Sequence, residues 1–135
     1  MRRLLSAAVF TLLATLPLQA NEAGLAQAVI GGQIDSFKAQ RHGEAFSNAA
    51  PGIRLMFRNE TNFIRMVKKG YMPIYGARDY RFGRTRVDGA TLYQEVLLTG
   101  PNGRSWVALY TMARAKDGSW KIAGVRLVPG NEQST

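Results

Sequence analysis

The sequence predicts a single α+β domain in which N-terminal helices pack on a four-stranded antiparallel meander. Three observations carry this. Before residue 70 the apolar residues recur at helical spacing. After residue 80 they fall in runs rich in β-branched and aromatic residues. Those runs are separated by Asp88-Gly89, Pro101-Asn102-Gly103 and Asp117-Gly118, all turn signals of the hairpin type. Helices segregated ahead of a meander give the α+β arrangement, with helices covering one sheet face.

The first element is a targeting segment. Arg2 and Arg3 precede the apolar run 4–16, and Pro17-Leu18-Gln19-Ala20 ends in a small residue. This is the pattern of a secretory signal peptide spanning residues 1–20. The protein is therefore expected to be periplasmic or secreted, with its domain at 21–128 and a flexible C-terminal tail at 129–135. The apolar run is shorter than the roughly 20 residues a spanning helix requires, so no membrane span is expected. There is no cysteine, which excludes a cysteine-linked lipid anchor, disulfides, thiolate metal sites and dithiol redox chemistry.

Leu25, Val29, Ile30, Ile34 and Phe37 place an amphipathic helix over 24–42, with Gly43 as its end. A short turn of helix follows at 44–49, and Pro51 opens another segment reaching residue 58. In "NFIRMVKKG", Thr61 or Asn62 is the expected cap, Phe63 and Val67 point inward, and Lys68 and Lys69 occupy the last turn, where cations favour the negative helix end. Gly70 is the expected left-handed stop. Strands are expected at 80–87, 90–99, 104–115 and 119–128. In the second, Leu92, Val96 and Leu98 share a face with Gln94, which turns Glu95 the other way. In the fourth, Trp120, Ile122 and Gly124 alternate with Lys121, Ala123 and Val125.

The third strand is apolar on both faces: Val107, Leu109 and Ala113 on one, Trp106, Ala108, Tyr110 and Met112 on the other. Helices cover only one, and an exposed apolar face marks a partner site. A homodimer through the convex face of the sheet is therefore expected, with Trp106 and Met112 as residue types common at interfaces. The net charge of +9, from 18 Lys and Arg against 9 Asp and Glu, favours an anionic partner. For an exported protein that is an anionic envelope component rather than nucleic acid. Arg78, Tyr80, Phe82, Arg84 and Arg86 are placed on one strand face, a basic and aromatic mixture that suits single-stranded nucleic acid. A charged edge strand that resists unwanted pairing explains the same run, and export favours it, so no nucleic-acid partner is expected.

The order of elements resembles the nuclear transport factor 2-like fold, a cystatin-like cone in which a curved antiparallel sheet wraps N-terminal helices around a conical cavity. The runs "QIDSFKAQRHGEAFSNAAPGI", "NFIRMVKKGY", "RFG", "LYQEVLL", "GRSW", "LYTM" and "GSWKIAGVRL" are similar to exported bacterial proteins grouped as domain of unknown function 4864. The similarity runs from about Val29 to Val128. Its motifs are core and turn residues, specific for family and poor for function. That family's pattern carries paired acidic residues at the end of the first helix, where this chain has Gln40-Arg41, so any role of such a pair is absent.

On this fold a cavity between helices and sheet is implied, and four residues are candidates for its border: Tyr71 and Tyr75 flanking Pro73, Gln94, whose amide needs a partner when buried, and Tyr110. Tyrosines suit a small-molecule pocket because they join an apolar body to a polar tip. Asp35, Lys38 and the single histidine, His42, fall on one helix face, with Asp35 and His42 roughly 10 Å apart along the axis. That is a solvated polar face rather than a dyad. One histidine and no cysteine give no metal site, and no cofactor is expected. The expected function is a non-catalytic module that binds a small apolar ligand or another protein. The alternative is a small-molecule isomerase or dehydratase using the cavity, as some relatives on this fold are, with Glu95 as base should it face inward.

Overall fold

The computed structural model describes Ala8 and residues 18–131. Most of the segment read as a signal peptide, and residues 132–135 of the expected tail, lie outside the described residues. Five helices precede four strands: α1 (Leu18–Lys38), α2 (His42–Ser47), α3 (Pro51–Phe57), α4 (Glu60–Gly70), α5 (Met72–Tyr75), β1 (Asp79–Asp88), β2 (Thr91–Thr99), β3 (Ser105–Arg114) and β4 (Trp120–Pro129). The strands form one open antiparallel sheet in the order β1-β2-β3-β4. Helices pack on one face of it, the α+β arrangement the sequence predicts. Gly89, Gly103 and Gly118 take positive φ at the three hairpin turns, the conformation glycine permits without a Cβ clash.

The helical half differs from the sequence reading in its ends. α1 stops at Lys38, short of Gly43, because Gln40 takes the left-handed position (φ 57°). The Arg41 N–H then reaches the Ser36 carbonyl at 2.8 Å and the Gln40 N–H the Phe37 carbonyl at 3.1 Å, a Schellman closure. Gly43 lies inside α2. Asp35 and His42 therefore do not share a helix: the Tyr80 hydroxyl donates to Asp35 (3.3 Å), and His42 pairs with Tyr75 (3.0 Å). The cap of α4 is Asn59, whose side chain accepts from the Asn62 N–H at 2.9 Å, ahead of the Thr61 or Asn62 expected. Gly70 is not left-handed. The chain turns directly into α5, so "GYMPIYG" is a helical turn with Pro73 in its first positions.

The core lies between α1, α4 and the inner sheet face. Ile30, Ile34 and Phe37 of α1 and Phe63, Ile64 and Val67 of α4 meet Leu92, Val96, Ala108, Tyr110, Met112, Trp120 and Ile122. Gly31 lets β1 close on α1: a Cβ there would sit 3.0 Å from the Tyr80 hydroxyl. At the far end of α1, Glu22 accepts from the Trp120 indole at 2.7 Å and pairs with Arg114 at 2.7 Å. Arg114 also stacks on the Trp120 ring at 4.4 Å. "DGSWKIAG" is thus a turn followed by the tryptophan that anchors the sheet to α1.

Two bulges correct the strand faces expected from strict alternation. Register shifts between Phe82 and Thr85, at Gly83-Arg84, so Tyr80, Phe82, Thr85 and Val87 are half-buried while Arg84 and Arg86 are exposed. The five residues expected on one face are divided by that extra residue. A second shift, at Ala123, puts Ile122 opposite Met112 and Val125 opposite Tyr110. Val125 therefore joins Trp120 and Ile122 on the inner side. Trp106 and Met112 also pack toward the core, so neither belongs to the convex face for which they were invoked. That face carries Val107, Leu109 and Leu97, all half-buried.

Candidate functional site

Against the inner face of the sheet lies a cavity of about 340 Å³, within the usual size of small-molecule sites. Each element around it has a traceable reason to be there. The segment before α3 runs alongside β4: the Ala50 N–H donates to the Ile122 carbonyl (2.8 Å) and the Ile122 N–H to the Asn48 carbonyl (2.9 Å). Pro51 then starts α3, which carries Ile53 and Phe57 onto the cavity wall. Phe57 and Phe46 both pack on Phe63, at 6.1 and 5.3 Å between ring centres. α1 contributes Gln33 and Phe37, α4 Met66 and Val67, and the strands Tyr110, Ile122 and Val125. The half-exposed members of the wall, Ile53, Phe57, Met66, Tyr71 and Val125, mark its mouth.

Two buried polar residues belong to this otherwise apolar wall. Gln33 is 4 % exposed, and its amide donates to the Ala45 carbonyl at 3.0 Å. Tyr110 is 1 % exposed, and its hydroxyl has no hydrogen-bond partner, alone in this among the buried side-chain polar atoms of the described residues. Burial, with a smaller contribution from nearby Tyr80, pushes the phenol far above the ordinary tyrosine range. The group is thus a neutral donor at any working pH. A buried hydroxyl with no partner carries a penalty of about 1–3 kcal/mol.

The four residues expected to border one cavity divide evenly. Tyr71 and Tyr110 are on its wall. Tyr75 is turned away: its hydroxyl meets His42 at 3.0 Å, Lys68 lies over its ring at 5.2 Å, and Phe37 flanks it at 5.5 Å. Gln94 does face inward beside Tyr110, its direct partner across β2 and β3, yet its amide serves the β1 bulge. It donates to the carbonyls of Gly83 (3.3 Å), Arg84 (3.2 Å) and Glu95 (2.8 Å), and accepts from Thr85 and from Gln27 (3.2 Å). Glu95 points away from the helices and accepts from the Arg84 N–H at 3.2 Å. Gln33 was missed from sequence, although a signal existed: it is an amide set among Ile30, Ile34 and Phe37 on the apolar face of α1.

The cavity wall holds no carboxylate and no imidazole. Among the described residues no group of three His, Asp or Glu is placed to hold a metal ion, and no helix is long and apolar enough to cross a membrane. The family described as a domain of unknown function (DUF4864) has a model that matches residues 19–135, and the chain belongs to that family. No curated protein and no solved structure matches it.

Proposed function

We propose that this DUF4864 protein is an exported, non-catalytic binding module whose cavity takes a small apolar ligand bearing one hydrogen-bond acceptor, with the Tyr110 hydroxyl as donor. The unpartnered Tyr110 hydroxyl is the observation that carries the reading. Native interiors seldom leave a buried hydroxyl unmatched, and the residue that carries this one is part of the wall of an apolar space large enough for a ligand. A carbonyl or ether oxygen on an otherwise apolar molecule satisfies it, while the surrounding Phe and Ile side chains bury the remainder. Tyr71, at the mouth, adds an apolar body with a polar tip. The order of helices and meander supports a nuclear transport factor 2-like cone as the scaffold, and the segment 1–20 supports export to the periplasm or beyond.

The isomerase or dehydratase alternative needs a general base reaching the bound molecule. Glu95 lies on the other sheet face, and the cavity wall offers no substitute, so binding without chemistry is the better account. A homodimer through the convex face, using Val107, Leu109 and Leu97, stays part of the proposal. Light scattering at micromolar concentration tests it, and a monomer mass that persists on concentration removes it.

The test of the main reading is untargeted mass spectrometry of small molecules retained by the purified protein, together with titration of an apolar fluorescent probe. Parent protein is expected to retain an apolar compound with an oxygen acceptor. Tyr110→Phe should weaken its retention about ten-fold, the value of one buried hydrogen bond. Absence of any retained compound and of probe binding would overturn the reading.

A further inference from the structure

We infer that the rim of the cavity is a docking surface for an anionic lipid membrane, with Leu55 and Met56 of α3 entering the apolar layer and the surrounding cations at its headgroups. Leu55 is 79 % exposed and Met56 73 % exposed, well above the other exposed large apolar residues, which run from 37 to 51 %. They are neighbours on a single helix whose opposite side, Ile53 and Phe57, forms part of the cavity wall.

Their exposure is held in place. The bridge to β4 fixes the start of α3. At its end, the Asn62 side chain donates to the Phe57 carbonyl at 3.0 Å. Arg58 closes the helix with a left-handed backbone (φ 71°), a conformation that side chains other than glycine adopt only when neighbouring structure enforces it.

The charged residues on either side of these two in the chain are basic. Arg54 and Arg58 bracket them and are exposed. Arg65 and Lys69 flank the shallow depression that shares Met66 and Tyr71 with the cavity mouth. None of the four takes part in an ion pair among the described residues, whose two pairs are Arg41–Glu44 and Arg114–Glu22. The nearest acid in sequence, Glu60, is turned toward Gly43 of α2: a Cβ on that glycine would meet its carboxylate at 2.7 Å.

Two protruding apolar side chains beside exposed basic residues are too little for a stable protein partner, which needs about 800 Å² from each side. They match what a membrane surface rewards: shallow insertion of apolar side chains, and about 1 kcal/mol for each basic residue near anionic headgroups. The placement also has a use that rests on the ligand reading above. An apolar molecule leaving the bilayer beside Leu55 and Met56 meets Ile53 and Phe57 next, without crossing water.

The test uses the chain from Asn21, which keeps every core residue from Ala26 onward and omits the apolar run 4–16. Co-sedimentation is measured with vesicles of phosphatidylcholine alone and with vesicles that also contain phosphatidylglycerol. Binding is expected only to the second, and to weaken with added salt. Leu55→Ser with Met56→Ser should lower it about ten-fold, and Arg54→Gln or Arg65→Gln about five-fold each. Thermal melts of these variants report that the fold is intact, since all four side chains are exposed. Parent protein that ignores phosphatidylglycerol, or a Leu55/Met56 variant that sediments like the parent, would overturn the inference and leave a protein as the occupant. Ligand retention is read in the same preparations. Vesicle binding lost with the ligand retained defeats docking alone, and ligand absent with vesicle binding intact defeats the cavity reading alone.

Discussion

Gln94 and Tyr110 stand opposite each other on β2 and β3, on the same sheet face, each 1 % exposed. Their polar atoms have opposite fates. The Gln94 amide makes contacts with Gly83, Arg84, Glu95, Thr85 and Gln27, while the Tyr110 hydroxyl makes none. The physical difference is what lies in front of each. Gln94 faces a bulge, whose irregular strand leaves carbonyls needing donors. The Tyr110 hydroxyl has no acceptor within reach, and its residue forms part of the wall of an apolar cavity. Burial of a polar residue is therefore not itself a sign of function. A satisfied one is part of the scaffold, and an unsatisfied one beside a cavity is a candidate for binding.

The largest expected effect falls on the satisfied member. Gln94→Ala strips the bulge of its donor and leaves Thr85 and Gln27 without their acceptor. It should destabilise the fold by about 3 kcal/mol, read from urea unfolding midpoints. A loss below about 1 kcal/mol would mean that water replaces the amide, and the contrast with Tyr110 would lose its basis.

Next is the other saturated end of the sheet. Glu22→Ala removes the acceptor of the Trp120 indole and the partner of Arg114. Charge-assisted bonds of this kind contribute about 1.5–3 kcal/mol. Because Arg114 is partly exposed, the lower end, about 1.5 kcal/mol, is expected from the same measurement. Quenching of tryptophan fluorescence should rise as the indole loosens.

The contrast also shows what the sequence could carry. The three hairpins were legible because each turn needs a glycine at positive φ and a short polar signal provides it. The inner face of β2 was legible because Leu92, Val96 and Leu98 alternate without interruption. The faces of β1 and β4 were not, since a bulge inserts one residue and reverses every assignment beyond it; the isolated Gly83 inside a strand pattern is a local sign of the first, while Ala123 gives no sign of the second. Helix ends failed for a related reason. Gln40 rather than a glycine took the left-handed position, and Asn59 rather than Thr61 reached the orphan N–H. At the site, Tyr71 and Tyr110 were legible as amphipathic side chains near a helix-sheet junction. That Tyr75 had found His42, and Gln94 the bulge, depends on contacts 33 and 11 residues away in sequence, beyond any local pattern.

A third effect separates the two residues by pH. The folded state holds the Tyr110 proton more tightly than the unfolded chain does, because burial raises its phenol above the ordinary value of about 10. Its contribution is thus fully present below about pH 10 and is lost as pH rises toward the folded value, by about 1.4 kcal/mol at about pH 11. Tyr80 is shifted the same way, by burial and then by Asp35, and adds a drop of the same sign. The comparison is therefore between parent and Tyr110→Phe, in which the Tyr80 contribution cancels. Parent stability should fall more steeply between about pH 9 and about pH 11, and parallel curves would show that Tyr110 is reached by solvent.

The smallest expected effect is the most discriminating, because the same substitution should change sign between two positions. Tyr75→Phe deletes a hydroxyl that meets His42 at 3.0 Å. It should destabilise the protein by about 1 kcal/mol, the usual net value of a hydrogen bond. Tyr110→Phe deletes a hydroxyl that was taken out of water and given no partner. Removing it relieves a desolvation penalty and forfeits no bond, so in ligand-free protein the fold should gain up to about 1 kcal/mol, a rise of about 4 °C in the melting midpoint. With ligand present the order should reverse, since only the parent retains the donor, and ligand binding stabilises the folded state by mass action. If Tyr110→Phe melts below the parent even after ligand has been stripped by denaturation and refolding, the hydroxyl has a partner within the protein. The cavity would then be a packing void rather than a site.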